Sequence, residues 1–158
     1  DSKYQKLLNK ITVALNSILP ESKVYLVKTK SKCVVLVSYS KYWENILGWK
    51  VGQGSKFEQN VQIPEWIWCQ DRYVKACLQG LVETDGSIYY DRGYPMVMFT
   101  NIVPGLAYGV KDMMEWLGFA PRIYDFIPKS KFNVQRLYHV RLSKKVQEFL
   151  NLVQPLKA

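Results

Sequence analysis

Leu7, Leu8, Ile11, Leu15 and Ile18 recur at the spacing of one helical face, and Pro20 closes the run, which predicts a helix over residues 3–19. From residue 23 to 38 the apolar period drops to about two. Val24-Tyr25-Leu26-Val27 and Cys33-Val34-Val35-Leu36-Val37 flank Lys28-Thr29-Lys30-Ser31-Lys32, the pattern of a β-hairpin with a basic tip. A short helix over 40–48 follows, ended by Gly48. The same order returns as a helix over 105–117, a hairpin over 121–142 and a helix over 143–153. Details echo between the copies. Pro128-Lys129-Ser130-Lys131 repeats the hairpin tip, Ser143-Lys144 repeats Ser40-Lys41, and Glu148-Phe149-Leu150 parallels Glu44-Asn45-Ile46-Leu47, with a longer hairpin loop in the second copy. Such self-similarity points to a pseudo-twofold protein.

Between the copies, residues 49–70 hold Gly52, Gly54 and Pro64 without sustained periodicity and read as a linker. From Gln70 a helix begins, with Val74, Cys77, Leu78, Leu81 and Val82 on one face, and it stops at Gly86. A hairpin over 87–101 follows, turning near Asp91-Arg92-Gly93. Ala76, Gly80 and Thr84 fall four residues apart on the helix, a ridge of small side chains that admits a second helix at close range. Asp85 stands at the helix C-terminus, where the dipole disfavours an anion. A bound cation accounts for a carboxylate there better than helix stability does, although an Asp-Gly pair also ends ordinary core helices. Glu83 points elsewhere on the helix.

Composition narrows the chemistry. The 158 residues carry 22 Lys and Arg against 13 Asp and Glu, a net charge of +9, which indicates a polyanionic partner, nucleic acid foremost, or an inert basic surface. No strongly amphipathic basic helix suggests a membrane surface. One histidine, His139, excludes a multi-histidine metal site, so any hydrolytic metal rests on carboxylates. Cys33, Cys69 and Cys77 form no C-x-x-C pair and are expected to be reduced, mostly buried thiols. No apolar run approaches the ~20 residues that span a bilayer, and the polar opening is unlike a secretory signal, so the expected location is intracellular, in cytoplasm, nucleoid or organelle matrix.

Leu78-Gln79-Gly80-Leu81-Val82-Glu83-Thr84-Asp85-Gly86 resembles the LAGLIDADG signature of homing endonucleases, with Val in place of Ile, Glu in place of the first Asp, and Gln79 and Thr84 in place of Ala. Ser87-Ile88 and the upstream Ile63-Pro64-Glu65-Trp66-Ile67 are also similar to the family. The likeness covers residues 70–157 and, more weakly, 3–60. It implies an α+β fold of αββαββα repeats, with a saddle of antiparallel strands, helices on one face and a pseudo-twofold axis. On that plan residues 1–48 are a partial first repeat without its motif helix, 49–70 a linker and 71–158 a complete repeat. The implied activity is metal-dependent cleavage of double-stranded DNA in the service of intron or intein mobility.

The resemblance also assigns roles. Asp85, with the neighbouring Gly86, would hold Mg2+ or another divalent cation such as Mn2+. Lys56 and Lys157 would stand at the periphery of the catalytic site. Ala76, Gly80 and Thr84 would form the helix interface. DNA contacts would come from Lys28, Lys30, Lys32, Tyr89, Arg92, Arg122, Tyr124, Lys129, Lys131, Arg136, Tyr138 and Arg141, since Lys and Arg both neutralise phosphate and read guanine. The sequence does not tell which faces of the strands carry them. The repeat counterpart of Asp85 would fall upstream of Asp1. The second motif is therefore expected from another chain, a removed N-terminal segment or a homodimer. A competing reading keeps the fold but not cleavage, as a DNA- or RNA-binding intron maturase or regulator.

Overall fold

In the computed structural model of the chain, residues 5–29, 34–129 and 135–156 are described. The chain divides into two compact units at the Leu47–Gly48 boundary. The first contains α1 (Gln5–Ile18), an antiparallel hairpin of β1 (Val24–Lys28) and β2 (Val34–Ser38), and α2 (Trp43–Leu47). Gly48 follows α2 with φ +73°, the left-handed conformation that stops a helix. Val24, Leu26 and Leu36 share one face of the hairpin and line a groove of about 430 Å³ with Asn9, Thr12 and Val13 of α1. No residue of α1 is buried. Alternation along β1 puts Lys28 on this α1 side of the hairpin rather than on its open face.

The second unit follows the order α3 (Asp71–Asp85), β3 (Gly86–Asp91), β4 (Tyr94–Asn101), α4 (Pro104–Trp116), β5 (Arg122–Phe126), β6 (Leu137–Leu142) and α5 (Val146–Val153). Its strands form one antiparallel sheet in the order β3-β4-β6-β5. Asp91 pairs with Tyr94 across a two-residue turn in which Arg92 (φ 52°) and Gly93 (φ 84°) are both left-handed, the turn whose twist matches that of the strands.

The register separates the sheet into two faces. Ile88, Val97, Phe99, Ile123, Val140 and Leu142 face the helices, and Val97, Phe99, Val140 and Leu142 are completely buried there. Val74, Leu78 and Val82 of α3, Val110 and Met113 of α4, and Phe149 of α5 complete this core. Burial of each such side chain contributes about 1.5–3 kcal/mol, so the periodicity read from the sequence is what holds α3 to the sheet. Phe119 meets Phe149 edge to face at 5.3 Å.

Two expectations are corrected. Residues 49–70, read as a linker, belong to the second unit: Val61 and Ile67 are buried, and Glu65–Cys69 forms a 3-10 turn. Aromatic contacts tie this segment down, with Trp66 on Tyr73 at 5.8 Å and Trp68 on Trp116 at 6.0 Å. The last helix begins at Val146 instead of residue 143, because Lys145 adopts a left-handed conformation that a helix cannot pass through. Among the described cysteines, Cys69 is exposed, contrary to the expectation of mostly buried thiols, while Cys77 is partly covered and burial pushes its thiol up to about 11. Cys33 lies outside the described residues. No helix among the described residues is long and apolar enough to cross a membrane.

Candidate active site and nucleic-acid face

Asp85 is the last residue of α3, and its carboxylate is exposed. Its Oδ2 accepts a hydrogen bond of 3.2 Å from Nδ2 of Asn101, the last residue of β4. Asn101 also accepts, through Oδ1, the N–H of Val103 at the start of α4 at 2.9 Å. The amide that orients Asp85 is thus anchored to the next helix. Gly86 follows directly, its N–H bonded to the carbonyl of Val82, and a Cβ there would lie 2.5 Å from that carbonyl oxygen. Only glycine lets the chain pass from the helix end into β3 at this approach.

Glu83 behaves differently. It is the single buried charged residue among those described, and its Oε1 accepts the N–H of Leu156 at 3.0 Å. Gln79 donates from Nε2 to the carbonyl of Gln154 at 2.5 Å. The two motif positions hold the segment after α5 against α3, a structural role consistent with Glu83 pointing away from Asp85. Opposite the core face of α3 (Val74, Leu78, Val82), Ala76, Gly80 and Thr84 are all exposed, and nothing lies within 4 Å of the space a Cβ on Gly80 would fill.

Among the described residues, no helix of the second unit packs on the second face of the sheet. Ser87, Tyr89 and Asp91 of β3, Met96, Met98 and Thr100 of β4, His139 and Arg141 of β6, and Arg122, Tyr124 and Phe126 of β5 share it by register. Side-chain contacts agree. Nδ1 of His139 lies 3.1 Å from Sδ of Met98, Tyr124 stacks on the His139 ring at 5.3 Å, and Arg141 reaches Asp91 at 2.8 Å. Burial lowers the His139 pKa, and its Nε2 is buried without a partner.

The residues expected to touch DNA therefore separate. Tyr89, Arg122, Tyr124 and Arg141 lie on this open face, Arg92 is exposed in the β3–β4 turn, and Lys129 is exposed after β5. Tyr138 and Arg136 do not belong with them. Tyr138 turns to the helix side and packs on Tyr108 of α4 at 6.1 Å, and Arg136 pairs with Asp125, the cross-strand neighbour of Tyr138. One residue of difference along a strand reverses the face. Lys30, Lys32, Lys131 and Lys157 lie outside the described residues. Lys56 is exposed on a turn where Ser55 and Glu58 bond each other reciprocally, and its Nζ lies 5.7 Å from the Trp49 ring. It forms no ion pair with Asp85. Sequence reasoning missed Asn101, Asp91, Met98 and His139. Strand alternation places them in pairs, but only the register shows which pair faces outward.

Residues 72–154 match the model of the family described as LAGLIDADG-like domain. The chain belongs to the LAGLIDADG family. A search of curated proteins found no match. Among solved structures, a variant of I-DmoI in complex with its target DNA in the presence of magnesium is similar at a TM-score of 0.64 and 17% identity, over 96% of this chain and 73% of that one. Variants of the homing endonuclease I-DmoI described as mesophilic give 0.63 and 16%, over 99% and 76%. I-DmoI in complex with DNA and manganese gives 0.60 and 18%, over 91% and 70%. At these identities the likeness establishes a LAGLIDADG fold and leaves the chemistry to this chain's own residues.

Proposed function

We propose that this LAGLIDADG chain binds double-stranded DNA on the open face of its sheet and supplies Asp85 as one half of a metal-dependent phosphodiester-cleaving site. The observation that carries the reading is the exposed carboxylate at the C-terminus of α3, fixed by Asn101 at the position where the helix dipole makes it least favourable. A net charge of +9 suits the polyanion.

The donor set fits a divalent cation only as part of a shared site. Among the described residues no three His, Cys, Asp or Glu side chains cluster, and Mg2+ commonly takes one or two protein carboxylates with the remaining positions filled by water and substrate phosphate. Asp85 would hold the ion through its carboxylate, with the Gly86 carbonyl as the neighbouring oxygen. When bound, the ion supplies a lowered pKa to attacking water and offsets charge on the pentavalent phosphorus. Asn101 fixes the Asp85 rotamer, and Gly86 allows the helix end to approach its ligand without a side chain in the way. Lys56 and Lys157 are assigned to the periphery of the site by the resemblance.

A second acidic motif completes the site. The order α1-β1-β2-α2 repeats α4-β5-β6-α5, and the second unit shows what precedes that order in a complete repeat: a motif helix and a hairpin, with β4 paired to the edge of β6. In the first unit the corresponding edge of β2 has no strand beside it among the described residues. The missing helix and hairpin would come from another chain, from a preceding segment or from a second copy, and would create the pseudo-twofold. Location follows the host intron or intein, in cytoplasm, nucleoid or organelle. The lone carboxylate also favours one other reading, a DNA- or RNA-binding member without cleavage.

Duplexes selected from a random pool in calcium and then transferred to magnesium test both. Cleavage in magnesium should fall at least about a hundred-fold in Asp85→Asn, while affinity in the absence of divalent metal holds or rises because a carboxylate facing phosphates is removed. Full cleavage by Asp85→Asn would end the ligand assignment. Selective binding with no cleavage under any condition would favour the second reading. Affinity should also decline steeply with salt, each neutralised phosphate adding ~0.9 to the log–log slope, and a flat dependence would remove DNA as the partner. Palindromic selected sites would indicate a homodimer, and asymmetric ones a different second motif.

A further inference from the structure

We propose that Asp91 is a positioning residue that presents Arg141 to a guanine, so that this pair sets base preference at one position of the DNA site. The proposal rests on the reading of the open sheet face as the DNA surface. Arg141 leaves β6 and lies across β4: its Nη2 donates to Oδ2 of Asp91 on β3 at 2.8 Å and lies 3.6 Å from Sδ of Met96. The side chains of Arg141 and Asp91 keep 32% and 43% of their exposure, while the Arg141 Nε is buried without a partner. The stem is therefore covered and the far end of the fork faces out. A guanidinium has five N–H donors; Nη2 directs its pair at Asp91 and Met96, and the two on Nη1 remain for a base. Nη1, held in a fixed plane, can donate to O6 or N7 of guanine in the major groove.

Charge makes the same point from the opposite direction. A carboxylate on a surface that receives phosphates lowers affinity for every sequence. Asp91 has no use there as a phosphate contact, but it holds the plane of Arg141 and restricts it to one acceptor geometry, which exchanges general affinity for selectivity. Two other arginines show the contrast. Arg122, directly across from Arg141 in the register, is exposed and has no ion pair among the described residues, as suits a mobile phosphate contact. Arg136 and Asp125 make the same kind of pair on the helix side of the sheet, beside Tyr138. That pair supplies an internal control.

The test is selection from a pool of duplexes with a randomised core by the full chain and four variants: Asp91→Ala, Asp91→Asn, Arg141→Lys and Asp125→Asn. Wild type and Asp125→Asn should enrich one guanine. Asp91→Ala and Arg141→Lys should reduce preference for that guanine about ten-fold, with Asp91→Asn intermediate because it retains a hydrogen bond to the fork. Over unselected duplex, Asp91→Ala should bind as tightly as wild type or more tightly, a gain that a merely structural role would not produce. Retention of the guanine preference in Asp91→Ala and Arg141→Lys would overturn the proposal. So would its equal loss in Asp125→Asn, or a uniform loss of affinity in Asp91→Ala. If wild type itself shows no salt-dependent duplex binding, the DNA reading fails and the proposal with it, an outcome distinct from salt-dependent binding that is indifferent to residue 91.

Discussion

The two units contain the same αββα order, yet they differ in what lies beneath it. In the second, Val140 and Leu142 of β6 and Phe149 of α5 are buried to 4% exposure or less, against β4 and α3. In the first, α1 buries no residue, and Tyr25, Leu26, Val27 and Val35 of the hairpin remain exposed. The strands of the first unit, VYLVK and VVLVS, are richer in apolar, β-branched residues than RIYDF and LYHVRL of the second, so composition does not account for the difference. The motif helix and its hairpin do. Val74, Leu78 and Val82 turn one side of α3 into core, while Ala76, Gly80 and Thr84 keep the other side bare and Asp85 ends it. One helix thereby links stability to the site, and the first unit, which has no helix packed in this way among its described residues, keeps apolar surface exposed.

The comparison breaks most readily through core truncation. Leu78→Ala, at a completely buried position, should destabilise the second unit by about 2–5 kcal/mol, whereas Leu15→Ala on α1 should change stability by less than about 1 kcal/mol. Urea midpoints for the two variants measure the contrast, and comparable losses would show that the first unit has a core of its own. Alkylation sharpens it. With its thiol near 11, Cys77 is ionised to about one part in a thousand at pH 8 and should label only when α3 detaches, while exposed Cys69 labels in the folded chain. Mass spectrometry of pulse-labelled protein should therefore find Cys77 modified only above the denaturant concentration that unfolds the second unit; rapid labelling in buffer would mean that the motif helix is loosely held.

The smallest effect concerns the open face. Burial holds the folded-state pKa of His139 below its unfolded value of about 6.5, so the neutral ring contributes stability above that pH and loses it as pH falls. Its ring faces Tyr124 and Phe126 of β5 and Met98 and Thr100 of β4, with no carboxylate among these contacts to favour the charged form. Thermal melts from pH 7.5 to 5.5 should show a shallow decline that is reduced in His139→Gln. An identical decline in the variant would assign it to other groups.

The amphipathic pattern of α3, the Asp-Gly stop at its end and the hairpin at Arg92-Gly93 were legible because each depends on local spacing and backbone preference. Site residues were legible to the extent that they belonged to the motif: Asp85 was, and Asn101, sixteen positions away along the chain, was not. Residues 49–70 carry no periodicity because a segment that packs through isolated contacts, such as Val61, Ile67 and the Trp66–Tyr73 pair, has no repeating face to reveal it. The basic residues of the hairpins could be named but not sorted. By itself, then, the sequence determined which segments are helix or strand, that the charge suits a polyanion, and that one carboxylate sits at a helix end. Which strand faces open outward, that Arg141 is held by Asp91 while Arg136 is held on the other side, and that Asn101 orients Asp85 were decided only by the pairing register, because side chains alternate every residue and neighbouring strands are brought together from distant parts of the chain.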